Sequence, residues 1–155
     1  MTIGPFTNEQ EACEAFATLS NREERPAKFV AALHPLVLHI TKWNRAEGKD
    51  EVALLLSERS HWESETSPPI KHVSVLAARE AANGRVIPFC CSIYIHEPTR
   101  VQTETYLTLE NGGVKKILVY SVWLDPHFPF PDRVASTVAR LRSKGVPMAP
   151  PSTVS

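Results

Sequence analysis

Four long strand-like segments follow one another directly in the second half of this 155-residue chain. They are Lys71 to Asn83, Arg85 to Glu97, Arg100 to Glu110 and Val114 to Asp125. Only tight-turn residues separate them: Asn83-Gly84, Glu97-Pro98 and Asn111-Gly112-Gly113. Such turns favour hairpins between sequence neighbours, so the four segments read as an antiparallel meander. A twisted meander must bury one face, and the segments ahead of it have helical spacing. The order therefore predicts an α+β fold, a curved antiparallel sheet wrapped around three N-terminal helices as a cone with an internal cavity.

The helices are read from apolar spacing. Thr7 followed by Gln10 resembles a capping box, and Ala12, Phe16 and Leu19 recur at helical intervals up to about Asn21. Pro26 suits a first helical position, with Phe29, Val30 and Leu33 as the apolar side of a second helix that His34-Pro35 ends. Leu36 to Trp43 alternates as a strand, placing His39 with Val37 and Thr41 on one side. Val52, Leu55 and Leu56 open a third helix reaching about Trp62, and Glu63 to Ile70 reads as a loop. Beyond Pro126, a weak helix is expected from Asp132 to Lys144. A single domain is expected over residues 1–145, and residues 146–155, rich in Pro and Ser, read as a disordered tail.

Charge narrows the partners. Lys and Arg together number 17, as do Asp and Glu, so the formal net charge is zero. That balance argues against nucleic acid or an anionic membrane as partner. The absence of a long apolar run argues against a signal peptide or a membrane span, and the expected location is cytoplasmic. Cys13, Cys90 and Cys91 are an odd number without metal-type spacing and read as reduced thiols. His61, His72 and His96 likewise lack a spacing that defines a metal site, so neither a metal nor a cofactor is expected.

Tight hairpins also fix register. Two-residue loops at Asn83-Gly84, Pro98-Thr99 and Asn111-Gly112 place Ala78 opposite Phe89, Cys91 opposite Tyr106 and Glu104 opposite Val119. One face then collects His72, Ser74, Leu76, Phe89, Cys91, Ile93, Gln102, Glu104, Tyr106, Ile117, Val119 and Trp123, an apolar wall with polar groups set into it. The other holds Val73, Val75, Cys90, Ser92, Tyr94, Thr103, Thr105, Tyr120 and Val122, a mixed surface suited to a homodimer contact. Placing both glycines in the last turn would exchange the faces of the final strand and bring Tyr120 into the pocket.

The segment Ala31-Ala-Leu-His-Pro-Leu-Val-Leu-His39, the run Gly48-Lys-Asp-Glu-Val-Ala53 and the closing Lys116-Ile-Leu-Val-Tyr-Ser-Val-Trp-Leu-Asp125 together resemble the nuclear transport factor 2-like superfamily, nearest its SnoaL-like branch. The resemblance spans roughly residues 8 to 126. It implies a cone with a deep hydrophobic cavity, often dimeric and usually without metal or organic cofactor. It also implies a range of activities, including polyketide cyclases, epoxide hydrolases and ketosteroid isomerases, alongside members that only bind ligands or proteins. The acid that many members carry near the end of the last strand corresponds to Asp125.

Within that frame Glu104 is the leading catalytic candidate, because a carboxyl group desolvated in a cavity wall is tuned for proton transfer near neutral pH. Asp125, His39 and Tyr106 complete the catalytic set, as a second acid, a proton shuttle and a hydrogen-bond donor to an oxyanion. Trp123, Trp62, His72, Gln102, Phe16, Phe29 and Phe89 are expected to line the substrate site. The loop around His61, Glu63 and Glu65 could lid it. The expected function is a cofactor-independent acid–base enzyme, a cyclase, isomerase or epoxide-opening hydrolase. Its substrate would be a hydrophobic polyketide or meroterpenoid intermediate of secondary metabolism. A non-catalytic ligand-binding or dimeric interaction module is the alternative.

Overall fold

The computed structural model describes residues 4–21, 28–41, 45–56, 67–123 and 125–128. The proposed lid around His61, Trp62, Glu63 and Glu65, the expected helix 132–144 and the tail 146–155 lie outside the described residues.

Helix α1 spans Glu9–Asn21. Its cap falls one residue later than the Thr7–Gln10 reading. Asn8 Oδ1 accepts the Glu11 N–H at 2.9 Å, and the Thr7 hydroxyl donates to the Glu11 carboxylate at 2.6 Å. Asn8 is thus the residue that satisfies an otherwise unpaired first-turn donor. The helix buries Ala12, Cys13, Phe16, Ala17, Leu19 and Ser20. Phe16 meets Phe29 edge-on at 5.0 Å between ring centroids, and burial of each ring is worth about 1.5–3 kcal/mol. Both rings belong to the core and not to a solvent-accessible pocket wall.

Of the second expected helix, the described part is residues 28–29 followed by a 3₁₀ turn, Val30–Ala32. Residues 49–56 form α2, so two helices stand among the described residues where the sequence predicts three. The Gly48 carbonyl accepts the Val52 N–H at 3.0 Å at the start of α2, and the Gly48 N–H donates to the Val37 carbonyl at 2.8 Å. That pair ties the helix start to the first strand.

The strands are β1 (Leu33–Ile40), β2 (Arg45–Glu47), β3 (Lys71–Glu80), β4 (Val86–His96), β5 (Thr99–Glu110) and β6 (Gly113–Trp123). They form one six-stranded sheet in the order β2-β1-β6-β5-β4-β3. The sheet is mixed and not purely antiparallel, because β1 runs parallel to β6. Short β2, which the sequence reading does not contain, pairs with β1 at the edge. Pro35 sits where β1 shifts register between Leu33 and Leu38, an irregularity that accommodates a residue with no N–H to donate.

Register decides which side chains α1 covers, and two local features depart from the counting above. The first hairpin has a longer loop: Glu80 pairs with Val86, and the Ala81 N–H donates to the Arg85 carbonyl. Gly84 takes the left-handed conformation (φ 82°) and Asn83 does not, which marks a three-residue loop in place of a two-residue one. The added residue puts Ala77, not Ala78, opposite Phe89, and it turns β4 over relative to β3. The second loop is Glu97-Pro98, one residue earlier than expected, with Cys91 opposite Glu104. It preserves the relative faces of β4 and β5, so β5 turns over with β4. The third turn is Asn111-Gly112 as counted, both in left-handed conformations. A bulge at Lys115 then offsets the pairing by one residue, placing Val119 opposite Thr105 and Tyr120 opposite Glu104.

The helix-covered face of the sheet therefore carries Ser74, Cys90, Ser92, Tyr94, Val101, Thr103, Thr105, Leu107, Ile117 and Val119, all buried. His72, Ser74, Ile117 and Val119 are on this face as expected. Phe89, Cys91, Ile93, Gln102, Glu104 and Tyr106 are on the opposite one, a correction that follows from the single extra loop residue.

Candidate functional site

On the helix-covered face, α1 lies against β3, β4 and β5 and joins them through a run of polar contacts. Ser20 Oγ, in the last turn of α1, is 2.7 Å from His72 Nε2 and 3.1 Å from Ser74 Oγ. Ser74 Oγ continues to Ser92 Oγ at 2.7 Å, and Ser92 Oγ reaches Cys90 Sγ at 3.8 Å. The Asn21 side chain fastens the same helix end to the edge strand. Its amide donates to the Ser74 carbonyl and accepts the Ser74 N–H, each at 2.7 Å. Edge strand β3 thereby has these two backbone groups satisfied by a side chain in place of another strand.

Register extends the hydroxyl row across three strands: Ser74 faces Ser92, and Ser92 faces Thr103. Thr103 is fully buried, and its Oγ1 makes no hydrogen bond among the described residues. Flanking the row, His72 and Tyr94 are cross-strand partners with rings 5.2 Å apart. His39 is buried on β1, paired with Ile117 of β6 in the core.

The carboxylate expected in this wall is elsewhere. Glu104 lies on the opposite face with only 14% of its side chain exposed, accepts the Tyr106 hydroxyl at 2.8 Å and sits 3.8 Å from an Arg79 nitrogen. Phe89 and Tyr120 pack on Tyr106 at 5.3 and 5.7 Å between ring centroids. Burial pushes the Tyr106 phenol up to about 12, assisted by its hydrogen bond to Glu104 and by that carboxylate's charge. Gln102 is half-buried on the same outer face, opposite Ile93 and Trp123. Glu104 and Tyr106 are thus brought together, but not with His39 or His72. Asp125 closes a turn instead: its Oδ1 accepts the His127 N–H at 2.9 Å and its carbonyl accepts the Phe128 N–H at 3.0 Å. Trp62 and the side chain of Trp123 lie outside the described residues.

The thiols offer little nucleophilic chemistry. Burial pushes Cys13 up to about 12 although the Leu107 N–H points at its sulfur, and burial, then the Glu104 charge, raises Cys91. All three cysteines are thiols and not half-cystines. Among the described residues, no group of three or more His, Cys, Asp and Glu is gathered as metal ligands, and no helix is long and apolar enough to cross a membrane. Sequence reasoning missed Ser20, Ser92, Tyr94, Thr103 and Thr105. For the four strand residues the signal is the alternation Cys90-x-Ser92-x-Tyr94 and Thr103-x-Thr105, which a loop one residue shorter places on the outer face.

No family model and no curated protein matches the chain. Solved structures do. A steroid delta-isomerase from Pseudomonas aeruginosa is similar at 12% identity and a TM-score of 0.60, over 91% of this chain and 96% of that one. An epoxide hydrolase of the LEH-like type from M. tuberculosis is similar at 19% identity and a TM-score of 0.52, over 88% and 96%. A nuclear transport factor 2-like protein of unknown function from Cytophaga hutchinsonii is similar at 13% identity and a TM-score of 0.51, over 74% and 100%. Helix α1 laid on one face of a six-stranded mixed sheet, together with these likenesses, identifies the architecture: the chain has the nuclear transport factor 2-like fold.

Proposed function

We propose that this protein is an acid–base enzyme that isomerises, cyclises or adds water to a hydrophobic small molecule held against the helix-covered face of its sheet. The observation that carries this reading is the placement of two imidazoles, His39 and His72, on that face among buried apolar and hydroxyl side chains. Imidazole exchanges protons near neutral pH, so these residues take the part that the sequence reading gave to Glu104. Buried hydroxyls on Ser92, Thr103 and Tyr94 supply hydrogen bonds for a polar atom of the substrate, and the apolar surroundings exclude water. The names of two of the solved neighbours, an isomerase and an epoxide hydrolase, agree with proton-transfer chemistry on this fold, and the sequence resemblance to the SnoaL-like branch favours a polyketide or meroterpenoid intermediate.

The outer face supports a second part of the reading, self-association. Val73, Val75, Ile93, Tyr120 and Val122 are each 38% to 53% exposed there, apolar side chains on both sides of β5 of the kind that marks an interface. A homodimer would cover it around the Glu104–Tyr106 pair.

The test is to delete the gene in the producing organism and compare metabolites. Loss of a product together with accumulation of an isomeric precursor supports isomerisation or cyclisation. A lost product heavier than its precursor by one water supports epoxide opening. An unchanged metabolite profile refutes the enzyme reading.

A further inference from the structure

Helix α1 begins at Glu9, and the β3–β4 hairpin runs on past it. Leu76 and Ala78 of β3 alternate with Ser74, and Val86 and Pro88 of β4 alternate with Cys90, so all four belong to the helix-covered face. Near the hairpin that face is bare: Leu76 is 37% exposed and Val86 64%. Strands β4 and β5 also part here. Their ladder stops at Cys90–Thr105, although β4 continues to Val86 and β5 to Glu110. Carrying the register on sets Pro88 against Leu107, and proline has no N–H to give to a ladder. The Leu107 N–H points instead at the Cys13 sulfur of α1. Between residues 8–10, the hairpin and residues 106–108 of β5 this leaves a cleft of about 690 Å³. Its volume is that of a small-molecule site. His72 stands at the other end of β3, about 20 Å from Ala78 by strand rise.

The lining gives the cleft a polarity. Leu76, Ala78, Val86, Pro88 and Leu107 make most of its wall apolar. Two charged side chains border it from different elements, Arg85 at the entry to β4 and Glu9 in the first turn of α1. Arg85 is exposed and gives its backbone N–H to Asn83 Oδ1 at 3.0 Å, while its guanidinium makes no ion pair among the described residues. We propose that this cleft is a second binding site, apart from the two histidines, for a free amphiphilic carboxylate whose alkyl chain lies along Leu76, Val86 and Pro88 and whose head group meets Arg85. Covering the bare apolar side chains supplies the attraction. The guanidinium supplies the direction, because its planar donors match the two oxygens of a carboxylate. Glu9 repels an anion, so the head group takes the hairpin side of the cleft and the chain points towards α1. This inference does not rest on the enzyme reading of His39 and His72.

The probe is decanoate, titrated below its micelle-forming concentration into the full chain and followed by amide NMR. Saturable shifts are expected at Leu76, Val86 and Leu107, with the His72 amide unmoved. Arg85→Gln should raise the dissociation constant by about tenfold, and Glu9→Gln should lower it by about threefold. Arg85 is exposed and Glu9 lies on the helix surface in part, so both variants keep the fold. Decyltrimethylammonium, with the same chain and the opposite charge, should bind more weakly than decanoate and gain affinity in Arg85→Gln. Shifts centred on His72, or on outer-face residues such as Val75, overturn the inference. So do equal affinities for the two amphiphiles, or a decanoate affinity indifferent to both substitutions.

Discussion

Tyr106 donates its hydroxyl to Oε1 of Glu104 over 2.8 Å, on the sheet face opposite α1. The pair explains why a mid-strand glutamate between two threonines can be largely buried without serving a pocket. Its charge is compensated by a phenol and by Arg79, and Phe89 and Tyr120 pack against the ring of that phenol.

Glu104→Gln removes a negative charge that disfavours tyrosinate, so the Tyr106 titration moves down from about 12 towards the ordinary tyrosine value of about 10. Tyrosinate absorbance during an alkaline titration measures it. The native phenol is raised above its unfolded value, so its contribution to stability is complete below the unfolded pKa and is lost as pH climbs from about 10 to about 12. The variant should show a shallower decline of stability over that window in urea titrations at successive pH values.

Gly112→Ala should destabilise the fold by about 1–3 kcal/mol, because an L-residue is strained at this backbone conformation. The position has φ 80°, and an added Cβ would come within 2.6 Å of Pro5 Cβ. The Phe6 N–H donates to the Gly112 carbonyl at 2.9 Å, so the substitution also loosens the N-terminal segment from the β5–β6 turn. Chemical denaturation gives the first effect, and amide exchange at Phe6 gives the second.

If the outer face joins two copies, a charge placed in it will separate them. Val75→Lys should raise the dimer dissociation constant by about tenfold or more, equivalent to about 1.4 kcal/mol, with the monomer fold retained because Val75 is exposed. Sedimentation over a concentration series measures this, and an unchanged mass distribution would argue against association through this face.

Much of the fold was legible because hydrophobic period and turn chemistry are local. The four long strands and α1 follow from them directly, as does the Asn111-Gly112 turn. Short β2 was not legible, since three residues carry no period. The parallel pairing of β1 with β6 was not either, because it joins segments far apart in sequence. The site was lost at one position. Asn83-Gly84 is compatible with a two-residue loop, in which both residues are left-handed, and with a three-residue loop, in which only the glycine is. The structure takes the second, and one residue of difference carries Glu104 out of the interior and Ser92, Tyr94 and Thr103 into it. The bulge at Lys115 then returns Ile117 and Val119 to the core, which is why the last strand agrees with the count although its partner does not.

The central claim is that the chemistry belongs to the helix-covered face. The most direct measurement compares the metabolites of the producing strain carrying His72→Gln, His39→Gln or Glu104→Gln in place of the natural gene, at matched protein levels. Loss of the product in the histidine variants with retention in Glu104→Gln is the predicted result. Retention in both histidine variants with loss in Glu104→Gln would contradict it and return the site to the outer face.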